Sequence, residues 1–341
     1  APEVVATVPN EQQALLRQLR RLAKSGELRC CYEAGPTGTM LCRALRKEGF
    51  ACTIVAPPHV PQTRGDRIKT DRRDALRLAR FLRSGDLVEV HLLDEESEAL
   101  RDLVRTRDQA KRSERQARLQ LKSFLLRQGQ LWKGKGSWSQ AHFAWIRSLQ
   151  FQHEAHQRVL VALVTGLELA IDRVKQLTRD IHDIAPHCAI WPSIRALQAL
   201  RGIDLLHATL LMSEVGDFAR FPSAPAFMAY VGLVPSENSS GQTRRRGAIT
   251  RTGNSFVRTA FVEAAWAYRH RPGNTPRITS RQKGLSDQVR LLAWKAQLRL
   301  CGRFRSLCGR GKNKQQVVTA IARELAGFVW AIAREPKLLA A

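Results

Sequence analysis

The chain has 341 residues, 25% of them charged, with 56 Lys and Arg against 30 Asp and Glu and a formal net charge of +26. That length holds two or three domains with real cores, and the positive excess points to a polyanionic partner, because each Lys or Arg that neutralises a phosphate releases a counterion. No apolar run approaches the roughly 18–20 residues of a membrane span and no signal peptide opens the chain. The seven cysteines form no C-x-x-C pair, so they read as reduced thiols rather than a zinc site or disulfide framework. With aromatics at 6%, a base-stacking surface of the RNA-recognition type is not expected. These features describe a soluble intracellular protein bound to nucleic acid.

Residues 1–92 alternate strand and helix signals, which implies an α/β sheet with parallel strands. "EVVATV" is short and β-branched and reads as a strand. "NEQQALLRQLRRLAKSG" follows with an Asn cap candidate, leucines at helical spacing and a Gly stop. "ELRCCYEA" and "FACTIVAP" read as further strands around the helix "MLCRALRKEG". "DRRDALRLARFLRSG" is a helix, and "LVEVHLL" a short strand. Residues 93–190 change in kind. A long, charged, Pro-free stretch runs to the turn "WKGKGSW", and a second long helix returns, which suggests an antiparallel coiled-coil hairpin. Its leftover Leu and Val stripe would suit subunit pairing. Residues 191–341 are mostly helical, interrupted by "VGLVPSENSSGQTRRRGAITRTGN", which reads as a loop rich in Gly, Ser and Arg.

Two groups of residues carry chemistry. Asp71 and Asp74 stand three apart at a helix start inside an Arg-rich stretch, so they share a face. The helix dipole alone would favour acids there. Glu33, however, ends a strand, where catalytic groups of α/β sheets gather. A cluster of three carboxylates repels itself unless a divalent cation neutralises it. Oxygen ligands suit Mg²⁺, and two such ions can clamp a scissile phosphate. The expectation is carboxylates within about 4–8 Å of one another. In the loop, Ser239, Ser240 and Gly241 precede Arg244, Arg245 and Arg246. This is either a flexible basic loop or a serine nucleophile whose phosphoryl transition state the guanidinium groups stabilise. "LRGIDLLHATLLMSEVGD" is either a helix-hairpin-helix able to hold a phosphate or an ordinary helical turn, with His207 as packing.

"CYEAGPTG", "IKTDRRDALRLARFLRSG", "LRGIDLLHATLLMSEVGDFARF", "YVGLVPSENSSG", "ITRTGN" and "AIARELAGFVWAI" occur in order across nearly the whole chain. Together they closely resemble the DEDD transposases of the insertion-sequence one-ten family. The resemblance implies an α+β multi-domain protein: a RuvC-like (RNase H fold) domain over 1–92, the coiled-coil hairpin over 93–190, and a helical serine transposase domain over 191–341. It implies a serine that links covalently to DNA, a Mg²⁺ site, and a noncoding bridge RNA that pairs with donor and target DNA. It further implies a homo-oligomer, dimer or tetramer, whose composite site forms across subunits in the bacterial cytoplasm at the nucleoid. The family's Glu falls on Glu33 and its last two Asp on Asp71 and Asp74. Its serine falls on Ser240, with Ser239 in reserve. Lys69, Arg72, Arg244, Arg245, Arg246, Arg251 and Arg258 are the candidate nucleic-acid contacts. The family's first Asp has no counterpart, since only Glu3, Glu11 and Glu27 precede Glu33 among acids. The chain opens on Ala1, so that Asp and the opening strands are expected upstream. Two rival readings stand beside this one: a RuvC-like junction nuclease using water, and a non-catalytic nucleic-acid scaffold.

Overall fold

A computed structural model describes residues 3–9, 11–35, 38–57, 60, 70–240, 243–335 and 338, and divides the chain into two units, Ala1–Leu93 and Asp94–Ala341.

In the first unit a β–α–β crossover sets the frame. Strand β1 (Arg29–Glu33) pairs in parallel with β2 (Ala51–Val55), Glu33 lying opposite Val55, and helix α2 (Met40–Lys47) joins them. Helix α1 (Gln12–Ala23) buries Leu16 with Cys42 and Leu45 of α2 and Cys52 and Ile54 of β2. Val55, the next residue along β2, points the other way and packs with Val60 and Leu78 of helix α3 (Asp71–Ser84). This alternation is the two-residue period of a strand buried on both faces. Two of the expected strands differ. "EVVATV" is irregular and mostly exposed, because a β-branched run without a partner strand gains nothing from extension. "LVEVHLL" makes a single antiparallel bridge, Glu89 to Val55, with the Val90 amide donating to Ile54. The Asn10 cap candidate lies outside the described residues. The architecture is α+β, with two strands among the described residues of this unit.

The second unit is helical apart from one hairpin. Helix α4 (Glu95–Arg127) starts on Asp94, whose carboxylate accepts the Ser97 amide. It runs antiparallel to α6 (Glu154–Ile184). Glu96 lies near Ala189, Arg107 reaches Thr178, and Phe124 meets Phe151 and His156 at the far end. The returning arm, expected as one helix, is broken. Helix α5 (Gln140–Ser148) ends before residues 149–153, where Gln157 accepts the Phe151 amide and donates to the Leu149 carbonyl.

Helices α7 (Trp191–Leu197), α8 (Leu205–Val215), α9 (Ala224–Tyr230), α10 (Ser255–Ala265), α11 (Pro276–Gln282), α12 (Asp287–Gly309) and α13 (Lys314–Ala333) follow. Their core centres on α13, where Val317, Ile321, Leu325, Val329 and Ile332 are fully buried. Each such side chain is worth about 1.5–3 kcal/mol on transfer from water. By length and composition α13 also passes as a membrane span, with 20 residues and a mean hydropathy of 1.3 in its most apolar window. The expectation that no run approaches that length fails there, because an apolar helix suits a protein core as well as a bilayer. The segment expected as a loop is instead an antiparallel β-hairpin of β3 (Pro235–Ser240) and β4 (Thr243–Ile249).

Candidate active site

The acids come first in chain order. Glu33 closes β1. Thr70 caps α3, its hydroxyl accepting the Arg73 amide, and Gly85 ends the helix with φ of 79°. The cap fixes Asp71 and Asp74 in the first turn. Glu33, Asp71 and Asp74 line one cleft of about 640 Å³, walled by Leu15, Leu19, Leu78 and Leu82. Asp74 is half-buried and its carboxylate accepts a hydrogen bond from Arg77 at 3.0 Å. Among the described residues no group of three or more His, Cys, Asp or Glu side chains is gathered to hold a metal ion. The three acids line the cleft without being drawn into one cluster, and Asp74 pairs with the Arg77 guanidinium. The donors are all carboxylate oxygens, which is the chemistry a hard divalent cation requires. Arg72 is exposed beside them, and Lys69 lies outside the described residues.

The serine segment sits on a braced hairpin. The backbone register places Ser240 opposite Thr243, Ser239 opposite Arg244, Asn238 opposite Arg245 and Glu237 opposite Arg246, with a bulge between Pro235 and Glu237. The Ser239 hydroxyl donates to Glu237 at 3.0 Å. Arg245 is exposed. The Gly-X pair between Ser240 and Thr243 is the signal that sequence reasoning passed over, since two-residue Gly-X spacers favour tight hairpins.

What holds the hairpin is at its base. Gly232 (φ 71°) and Gly253 (φ 72°) let two chain segments cross. A Cβ on Gly253 would stand 2.0 Å from the Tyr230 carbonyl oxygen, and one on Gly232 2.2 Å from that of Thr252. Only glycine fits both the backbone angle and the gap. Arg258, expected to contact phosphate, has a structural role: its Nη1 donates to the Val231 and Thr252 carbonyls, both at 3.0 Å. Arg251, exposed, adopts a left-handed φ of 56°, a conformation that β-carbon-bearing residues rarely take and that is enriched at functional sites.

One residue further on, Asn254 caps α10 by accepting the Phe256 and Val257 amides. Its amide nitrogen donates to Glu214 of α8 at 2.5 Å. Glu214 is buried and also accepts Arg105 of α4 through both oxygens, at 2.6 and 2.8 Å. That hydrogen bond raises the Arg105 pKa above its ordinary value, against the opposing effect of burial. Arg105 and Arg112 lie over the Phe256 ring at 5.2 and 5.6 Å. The hairpin base, α8, α10 and the long helix are thereby locked together.

Beside this lock is a cavity of about 360 Å³ lined by Arg107, Lys111, Arg112, Asp204, His207 and Glu263 among others. Asp204 caps α8, and His207 Nδ1 lies 2.8 Å from its carboxylate, with Nε2 3.5 Å from Glu263. The bond to Asp204 raises the His207 pKa, with burial opposing it. Burial raises that of Asp204, but hydrogen bonds from the His207 side chain and backbone outweigh it and hold the carboxyl well below the usual range. His207 is an ion-pairing group as well as a packing one.

Two family models match the chain: one described as "Transposase" over residues 4–128, which covers the cleft acids, and one described as "Transposase IS116/IS110/IS902 family" over residues 194–279, which covers the braced hairpin. A Sinorhizobium fredii protein named as a transposase, y4qE, is 46% identical over 315 residues, 92% of this chain and 77% of its own length. The transposase for insertion sequence element IS1533 of Leptospira borgpetersenii is 32% identical over 296 residues, 84% of each chain. The chain belongs to the IS110 family of insertion-sequence transposases. IS110-type transposases cut and rejoin DNA, so the excess positive charge has its polyanion. A more distant relative, the transposase for IS1111A of Coxiella burnetii, is 24% identical over 292 residues, 83% of this chain and 71% of its own length.

Proposed function

We propose that this IS110-family transposase cuts DNA with Ser240 as nucleophile, in concert with a Mg²⁺-binding cleft formed by Glu33, Asp71 and Asp74. The observation that carries the reading is the bracing of the β3–β4 hairpin. A two-stranded ribbon is marginal by itself in water, yet this one is tied to the core through two required glycines, Arg258 and the Asn254–Glu214–Arg105 network. Such rigidity suits a reactive group that must be held to a productive geometry.

In the proposed step the serine oxygen forms a bond to phosphorus. The bond from phosphorus to one deoxyribose oxygen breaks, and that strand end leaves as a hydroxyl. The serine proton passes to solvent or to the leaving oxygen. Attack by another strand's hydroxyl on the phosphoserine ester reverses the step and rejoins DNA. Arg245 and its neighbours on β4 supply guanidinium groups for the pentacovalent charge. Glu33, Asp71 and Asp74 would hold the cation, which when bound supplies charge neutralisation at the scissile phosphate. The RuvC-like assignment of residues 1–92, the three-part division of the chain, guidance by a bridge RNA and the composite site across subunits belong to this reading through the family resemblance. The test incubates the full protein, its guide RNA and end-labelled insertion-sequence DNA with Mg²⁺. The reading predicts a protein–DNA adduct that survives denaturation and is lost in Ser240→Ala. Nicked DNA without adduct in both proteins would favour the water-using nuclease.

A further inference from the structure

The far end of the helical hairpin carries features that transposition chemistry at β3–β4 does not use. From Arg115 to His153 the chain has Arg115, Arg118, Lys122, Arg127, Lys133, Lys135 and Arg147 and not one acid. Within the same stretch Trp132, Trp138 and Trp145 gather three of the seven tryptophans. The low aromatic content of the whole chain hides this concentration.

These rings build a cavity of about 290 Å³, lined by Lys122, Gln130, Trp132, Trp138, His142 and Trp145 with flanking leucines. That is the small end of ligand pockets. Trp132 is half-buried and held flat. Gly134 lies against its indole so closely that a Cβ would stand 2.2 Å from the ring, and its Nε1 donates to the Gly136 carbonyl at 3.1 Å. Its other neighbours are rings, His142 at 5.2 Å and Trp145 at 5.4 Å. His142 is stacked on Trp145 at 15°. His142 is 6% exposed and its Nδ1 accepts the Trp138 amide at 2.8 Å, so the neutral ring carries its proton on Nε2. No acceptor for that proton is found among the described residues, and burial lowers the His142 pKa.

Trp138 has a left-handed φ of 65°. For a bulky residue this conformation is an outlier, and such outliers cluster at ligand clamps. Its ring also carries Arg118 at 5.3 Å. A tip that served only to close the hairpin would not need this strain.

We infer that this cavity takes one unstacked nucleobase from a single-stranded segment, between the tryptophan faces, with His142 Nε2–H at the base edge and Lys122, Lys133 and Lys135 on the adjoining phosphates. Aromatic faces with flanking cations are how single strands are bound without dependence on sequence, and the acid-free stretch selects a polyanion over an apolar protein partner. The inference rests on the proposal that the chain works on nucleic acid.

The test uses the full chain and fluorescent 12-nucleotide probes: oligo(A) RNA, oligo(dA) and an abasic DNA of the same length. The probes share phosphates and differ in base and 2′-hydroxyl. The base-bearing probes should bind about 10-fold more tightly than the abasic one, within the range stacking supplies. Trp132→Leu, which keeps apolar volume and removes the π face, should erase most of that advantage and leave abasic binding unchanged. Lys133→Ala should weaken all probes alike. A larger advantage for RNA than DNA assigns the pocket to RNA, and the reverse assigns it to a DNA strand. Equal weakening of every probe by Trp132→Leu, or no base advantage in the unmodified protein, overturns the inference. Failure of any probe to bind would instead strike at the nucleic-acid reading itself. If Trp132→Leu does not fold, photocrosslinking of an iodouracil-bearing strand to the unmodified protein decides. Crosslinks at Trp132, Trp138 or Trp145 support the pocket. Crosslinks elsewhere alone, or self-association through the tip, overturn it.

Discussion

Glu214→Ala removes the centre of the network that ties the hairpin base to the long helix. The Glu214 side chain is 1% exposed and accepts three donors, two from Arg105 and one from Asn254. Deleting one partner of a buried ion pair costs about 3–5 kcal/mol. The Arg105 side chain is 41% exposed, so water re-solvates part of its charge and the loss falls at the lower end, about 3 kcal/mol. For a unit of this size 1 kcal/mol moves the melting midpoint by about 2–4 °C, which gives a fall of about 6–12 °C. Calorimetry or far-UV circular dichroism reads it directly. The double variant Arg105→Ala/Glu214→Ala should cost about 1–2 kcal/mol less than the sum of the two single changes, because the two side chains share one interaction. A melting shift under about 2 °C for Glu214→Ala, or strict additivity of the pair, would show that the network does not brace the hairpin.

Other outcomes follow from the same structure. Gly253→Ala forces a Cβ into the Tyr230 carbonyl at a left-handed angle, and urea denaturation should show a loss of about 2 kcal/mol or more. Affinity for DNA should fall on the order of 10³-fold between 50 and 200 mM salt, measured by anisotropy, if several phosphates are neutralised. His207 has a raised folded pKa, so its contribution to stability is full below its unfolded value of 6.5 and is lost as pH rises through the folded pKa. The lowered Asp204 contributes above 3.8, and that part is lost only in strong acid. Melting midpoints should therefore decline from pH 6 towards alkaline pH in the unmodified protein, and Asp204→Asn should flatten the decline while NMR shows the His207 pKa reduced.

Local signals were legible where one short stretch decides the structure. Thr70 and Gly85 mark the ends of α3, and Asn254 and Gly253 mark a helix start after a turn. The strand pair β1–β2 shows as two short runs rich in Cys, Ile and Val around a helix. Hairpin β3–β4 was hidden because "PSENSSGQTRRRGAI" has no apolar alternation. Its strands carry polar residues on both faces, and register comes from the base rather than a core. The break at residues 149–153 depends on Gln157 capturing backbone groups six and eight residues away. Helices α9 and α11 begin with Pro225 and Pro276 near their first turn, a position where proline starts a helix as readily as it ends one. The bracing network joins residues 40 and 109 positions apart, which no local pattern encodes. Arg258 shows the same limit: a basic residue beside a Ser-Gly motif reads as a phosphate ligand, while the fold gives it two carbonyls.

The most direct test of the account maps the attachment point of the DNA. The covalent adduct formed with guide RNA and Mg²⁺ is digested with trypsin and nuclease, and the residual nucleotide is located by mass spectrometry. Cleavage after Arg220 and Arg244 releases one peptide that holds Ser223, Ser236, Ser239 and Ser240. The account predicts the phosphate on Ser240. Attachment at Ser239 would move the nucleophile one residue along β3, and a modified residue outside the β3–β4 hairpin would contradict the account.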